Sequence, residues 1–185
     1  MARTLDELET LLTQSGYPCR RIDDRCVMTE MPTTSYTNAR GRQSIRVHLA
    51  FDTKNRCLTL DTPWAFDSRN APHREAMLAC LLFASAKSPL VKTQLDPTIG
   101  EIRLRVDCLC GTEGIEREEV LRMLSLIPEC ADRWYPHIKN AMEKGTFDFA
   151  GGKASAEQAR LESIARRAGG INRLATLLWL RDHNN

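Results

Sequence analysis

The sequence predicts an α+β domain, an antiparallel sheet with helices packed on one face, followed by a C-terminal helical tail. Two observations predict it. Several short segments alternate apolar and polar residues, as half-buried antiparallel strands do. Brief turn-forming runs such as Asp23-Asp24, Lys54-Asn55 and Asp96 to Gly100 separate them, which suits hairpins better than the helical crossovers of a parallel sheet. The 185 residues, 42% hydrophobic and 27% charged, suffice for one domain with its own core.

The elements follow in order. Leu5, Leu8, Leu11 and Leu12 form one helical stripe, with Thr4 as N-cap and Glu7 as its capping-box partner. Ser15-Gly16 and Pro18 end that helix. Cys19 to Ile22 and Cys26 to Glu30 read as a hairpin about Asp23-Asp24, and Pro32 to Arg42 as a polar loop. Ile45, Val47, Leu49 and Phe51 alternate with Arg46, His48, Ala50 and Asp52, and Cys57 to Thr62 completes a meander. Asn70 is placed to cap the next helix, with Pro72 near its first turn. Val91 to Leu95 and Ile102 to Cys110 make a second hairpin. From Ile115 to Lys144 the spacing of Val120, Leu124, Ile127, Trp134, Ile138 and Met142 is helical, with a break or kink expected at Pro128 and Pro136. The boundaries expected are residues 1–144 for the α+β domain, 145–154 for a linker and 155–185 for the tail.

Several kinds of chemistry find no support. Gly151-Gly152-Lys153 lacks the earlier glycine and the preceding strand of a phosphate-binding loop, and reads as linker. His48, His73, His137 and His183 form no H-x-x-x-H or H-E-x-x-H arrangement. The seven cysteines, Cys19, Cys26, Cys57, Cys80, Cys108, Cys110 and Cys130, are scattered. Only Cys108-Leu109-Cys110 brings two close, without a second knuckle for zinc, so reduced apolar thiols are expected and neither a metal nor a cofactor. Glu113, Glu116, Glu118 and Glu119 gather at a helix start, where they complement its dipole. Met1-Ala2-Arg3-Thr4 runs into a helix without an apolar leader, and no apolar run is long enough to span a bilayer. A cytoplasmic, non-enzymatic protein is the expectation.

Three features bear on binding. Arg46, His48, Arg103 and Arg105 fall on the outward positions of two strands and, were those strands neighbours, would form a cationic strip for an acidic peptide or a nucleic-acid backbone. Asp52, Asp61 and Asp107 share that face and temper it; with a net charge of +2, nucleic acid is the less expected partner. The central segment Ala76 to Ala84 is apolar on almost every side, so it needs cover on more than one face. A second copy could supply that cover, with Met77, Cys80, Leu81 and Ala84 as the interface. Last, Ile171, Leu174, Leu177, Leu178 and Trp179 stripe the tail, a face for packing on the chain's own domain or a symmetry mate rather than for a partner's groove or a membrane, while Arg160, Arg166, Arg167, Arg173 and Arg181 make it a basic helix that could contact nucleic acid.

The order of elements resembles the type III secretion chaperone-like fold, which includes the YbjN-type bacterial proteins regarded as sensory-transduction regulators. The segments LDELETLLTQSGYPC, IRVHLAFDTKNRCLTLDT, REAMLACLLFASAK, VKTQLDPTIGEIRLRVDCLC and GIEREEVLRML carry the resemblance, over roughly residues 4–144. It implies a homodimer that binds a stretch of another polypeptide without a cofactor. The helix asparagines usual in that family do not stand in REAMLACLLFASAK, and residues 155–185 lie outside the pattern.

Overall fold

Thr4 opens the first helix, α1 (Leu5–Gln14), by the expected reciprocal pair. The Glu7 amide donates to Thr4 Oγ1 (3.3 Å), and the Thr4 amide donates to the Glu7 carboxylate (3.2 Å). The computed structural model describes residues 1–147 apart from Thr53 and Asn55, so the tail and most of the linker expected from the sequence lie outside the described residues.

The strands are β1 (Cys19–Asp23), β2 (Cys26–Pro32), β3 (Ser44–Asp52), β4 (Cys57–Asp61), β5 (Phe66–Asp67), β6 (Lys92–Asp96) and β7 (Glu101–Leu109). All pair antiparallel in one seven-stranded sheet, and β1 to β4 run as a meander that continues onto β7. Glu101 and Ile102 of β7 pair with β5 on one edge and with β6 on the other. Arg105 likewise faces Asp61 of β4 on one side and Lys92 of β6 on the other. Hence β4 and β5 lie end to end along one edge of β7, and β6 along the opposite edge. The β5 pairing was missed by the sequence reading because two residues carry no periodicity.

Alternation sets the two faces. Val27, Thr29 and Met31 of β2, Ile45, Val47 and Leu49 of β3, Leu58 and Leu60 of β4, and Ile102, Leu104 and Val106 of β7 are all buried. Over this face pack α1, against β1 and β2, and α3 (Arg117–Lys144), against β3 and β7. Helix α2 (Arg74–Lys87) packs on α3 and reaches β6, where the Thr93 amide donates to Ser85 Oγ (3.3 Å).

Two expectations need correction. Asn70 does not cap α2; His73 is its N-cap, and no side chain bonds the first turn. Pro128 and Pro136 do not divide α3, which is a single helix through both. A proline inside a helix costs about 3 kcal/mol. The stripe of Val120, Leu124, Ile127, Ala131, Trp134 and Ile138 is buried, and large apolar side chains stabilise by about 1.5–3 kcal/mol each. Several of those outweigh two prolines. At the far end Gly145, at φ 74°, closes α3 in the left-handed conformation that glycine adopts most readily. Phe147 is buried and Asn140 Nδ2 donates to the Thr146 carbonyl (2.6 Å), so the packed body runs past the expected boundary at 144.

Candidate functional site

The outward sheet face holds all four residues singled out for the cationic strip, in a different arrangement. Strands β3 and β7 are not neighbours, because β4 lies between them. The register gives one row across the sheet as Met28, His48, Asp61, Arg105 and Lys92, and sets Arg46 opposite Glu30. Carboxylates therefore interrupt the cations. Arg103 Nη2 donates to Glu101 Oε2 (2.6 Å), and its Nη1 sits 3.4 Å from Asp61 Oδ2. Arg105 Nε and Nη2 both reach the Asp107 carboxylate at 2.8 Å, and Thr59 Oγ1 donates to Asp107 as well (2.6 Å). Burial works to raise the Asp107 carboxyl, but the bonds from Arg105 and Thr59 hold it below its usual value. Desolvation pushes the His48 imidazole down despite Asp61 beside it, so His48 is largely neutral at neutral pH. On this face Arg103 and Arg105 are paired with carboxylates, while Arg46, His48 and Lys92 have no ion pair among the described residues.

Helix α2 settles where its apolar residues point. Met77, Cys80, Leu81 and Ala84, the residues singled out as a dimer interface, are buried in the chain's own core and offer no surface to a second copy. The sequence could not assign the face because the segment is apolar on nearly all sides, so no periodic vector marks inside from outside. The outward positions are Leu78, partly buried, and Leu82, 52% exposed, with Leu90 beyond the helix end at 57%.

Five of the thiols are shifted away from the reactive, ionised form. Burial raises Cys26 to about 11 and Cys80 to about 12, and it also pushes Cys108, Cys110 and Cys130 up. An activated nucleophile needs the opposite shift. Among the described residues no group of three or more His, Cys, Asp or Glu side chains could hold a metal ion. No described helix is long and apolar enough to cross a membrane.

One surface feature escaped the sequence reading. Asp61 faces Arg105 and Phe66 faces Ile102, so residues 62–65 span only the two β7 positions 103 and 104. The excess chain bulges outward at Pro63-Trp64. Trp64 has φ 54°, in the left-handed region that costs a non-glycine residue about 1–2 kcal/mol. Arg56, the other described non-glycine residue at positive φ, sits in the turn between β3 and β4, where such a conformation is ordinary. A buried carboxylate maintains the bulge: Glu101, 1% exposed, accepts from the Trp64 amide (2.9 Å) and from Arg103. The indole is 44% exposed, with the Arg69 guanidinium 4.9 Å from a ring centroid. A Trp after a proline at a strand end was the only sequence signal for this.

Comparison with known proteins places the fold. No family model matches the sequence, and no curated protein matches it. The crystal structure of YbjN from E. coli is similar at a TM-score of 0.51 and 15% identity, covering 74% of this chain and 89% of that one. The ExsC–ExsE complex is similar at a TM-score of 0.50 and 14% identity, covering 77% of this chain and 99% of that one. With its seven-stranded antiparallel sheet, helices on one face and order of elements, the chain has the type III secretion chaperone-like fold that it shares with YbjN.

Proposed function

We propose that this chain is a non-enzymatic, polypeptide-binding protein of the chaperone or adaptor type, acting as a cytoplasmic homodimer. The observation that carries the reading is the shared fold with a chain of the ExsC–ExsE complex, matched over nearly that chain's whole length. The raised thiols are in keeping with a protein that binds rather than reacts. Nucleic acid is the weaker alternative, since Arg103 and Arg105 are already engaged by carboxylates.

For a second copy we infer a different seat from the one the sequence suggested, because Met77, Cys80, Leu81 and Ala84 are buried. Leu78 and Leu82 lie one helical turn apart on the outward side of α2, and exposed Leu90 follows. We assign the homodimer contact to this side. The test pairs neighbouring residues. Leu82→Glu is expected to leave the fold intact and give monomers by light scattering, while Leu81→Glu, inserting a charge into the core, yields insoluble or unfolded protein. A Leu82→Glu dimer of unchanged size would sink the assignment. The binding role is tested by purifying the tagged full chain from its native cells with and without nuclease treatment, then rebuilding any dominant complex from pure components. A complex that reforms and survives high salt supports the reading; recovery of nucleic acid alone overturns it.

A further inference from the structure

We propose that Trp64 is a contact point for the bound polypeptide, and that the segment it contacts is apolar and uncharged. The inference rests on the polypeptide-binding reading and deepens it. Three features single Trp64 out from the other exposed apolar residues. Its backbone is held in the left-handed region, a conformation that a bulky residue adopts only where its surroundings enforce it. The enforcing group is the side chain of Glu101, a carboxylate taken almost wholly out of water, one oxygen of which is committed to the Trp64 amide. What this arrangement achieves is display: four residues placed against two push the indole outward instead of into the core. Strained, reinforced backbone gathers where a protein binds or reacts, and tryptophan is among the residues most enriched at energetic centres of interfaces.

The charges nearby define the partner. Arg69, which lies against the indole, has its guanidinium on Asp67, with Nε at 3.1 Å and Nη2 at 2.8 Å from the carboxylate oxygens. Arg103 is held by Glu101 and Asp61. The basic groups at the site are thus already matched by acidic ones, and an acidic or basic partner would have to break these pairs. An apolar segment needs only the indole and the aliphatic stem of Arg69. Because the Trp64 backbone is already held by Glu101, little backbone freedom is lost when a partner covers it.

The test uses the full chain and immobilised synthetic peptides of equal length in three series: apolar and uncharged, acidic, and basic. Wild type is expected to bind the apolar series best, with a blue shift of tryptophan emission. Trp64→Gly, which suits a positive φ, is expected to keep or raise Tm while weakening apolar-peptide binding by about tenfold or more and removing the blue shift. Trp64→Asn, also tolerant of this conformation, provides the same reading if the glycine variant loses stability. Unchanged affinity in the folded variants overturns the Trp64 assignment alone. A wild-type preference for either charged series overturns the partner chemistry. Failure of wild type to bind any peptide overturns both this inference and the reading beneath it.

Discussion

Two loops in this molecule are held by the same device and end in opposite states. In the β2–β3 loop the Asp132 carboxylate, on α3, accepts from the amides of Thr34 (2.8 Å), Ser35 (2.7 Å) and Tyr36 (2.8 Å) and from the Thr34 hydroxyl (2.9 Å). In the β4–β5 loop the Glu101 carboxylate accepts from the Trp64 amide. Each uses an acid on a regular element to fix irregular backbone. The aromatic side chains then part ways. Tyr36 is 2% exposed, donates its hydroxyl to the Ala65 carbonyl (2.9 Å) and meets Phe66 and Tyr135 edge-on, whereas Trp64 faces solvent. A fixed loop is therefore not by itself a sign of function; what distinguishes the two is where the aromatic goes once the backbone is fixed.

Substitutions can break this comparison from either end. The largest effect is expected at Asp132, which bonds a run of three amides and a hydroxyl. Asp132→Ala should cost about 3 kcal/mol in chemical denaturation, since each hydrogen bond to a charged group contributes about 1.5–3 kcal/mol and neighbouring bonds do not add fully. Partial burial works to raise the Asp132 carboxyl, but the amides of Tyr36, Thr34 and Ser35 outweigh it and hold the group below the usual carboxylate value. Its stabilisation is therefore complete above the unfolded-state pKa and is lost as pH falls through the lower folded-state value. Asp132→Asn should flatten that acid limb; a limb identical to wild type would show that other carboxylates set it.

Glu101→Gln is expected to cost less, about 2 kcal/mol, because the amide still accepts from Trp64 while Arg103 loses its closest carboxylate and keeps Asp61. The local signature is faster hydrogen exchange at the Trp64 amide with exchange at Tyr36 unchanged. Parallel acceleration at both would mean that the loops form one unit. Tyr36→Phe has the smallest expected cost, about 1 kcal/mol, for the bond lost at the Ala65 carbonyl. A cost well above that would show that Tyr36 also orders the stretch leading to Trp64.

The sequence reading and the structure agree where information is local and periodic. The Thr4/Glu7 capping box and the alternation from Ile45 to Phe51 depend on residues a few positions apart and form as read, and the first hairpin forms with its turn at Asp24-Arg25, one residue further on. Disagreement begins where distant segments decide the outcome. The Asp132 clamp joins residues 98 positions apart, and the sequence gives no sign that a helix carboxylate will be spent on a loop. Nothing local identifies the inward side of α2, because that follows from where α3 lies. The four outward residues Arg46, His48, Arg103 and Arg105 could be placed on a face by parity, but only the strand order reveals that β4, with Asp61, stands between them. Trp64 becomes visible only when the spacing of two short pairings on β7 is compared.

The bond from the Thr93 amide to Ser85 Oγ closes part of the rim of the sheet. An open rim is a template for any extended chain. With α2 hemming β6, growth of the sheet from molecule to molecule along that edge is discouraged. The hydroxyl of a single serine thus helps to close a sheet edge that would otherwise present unpaired backbone to another extended chain.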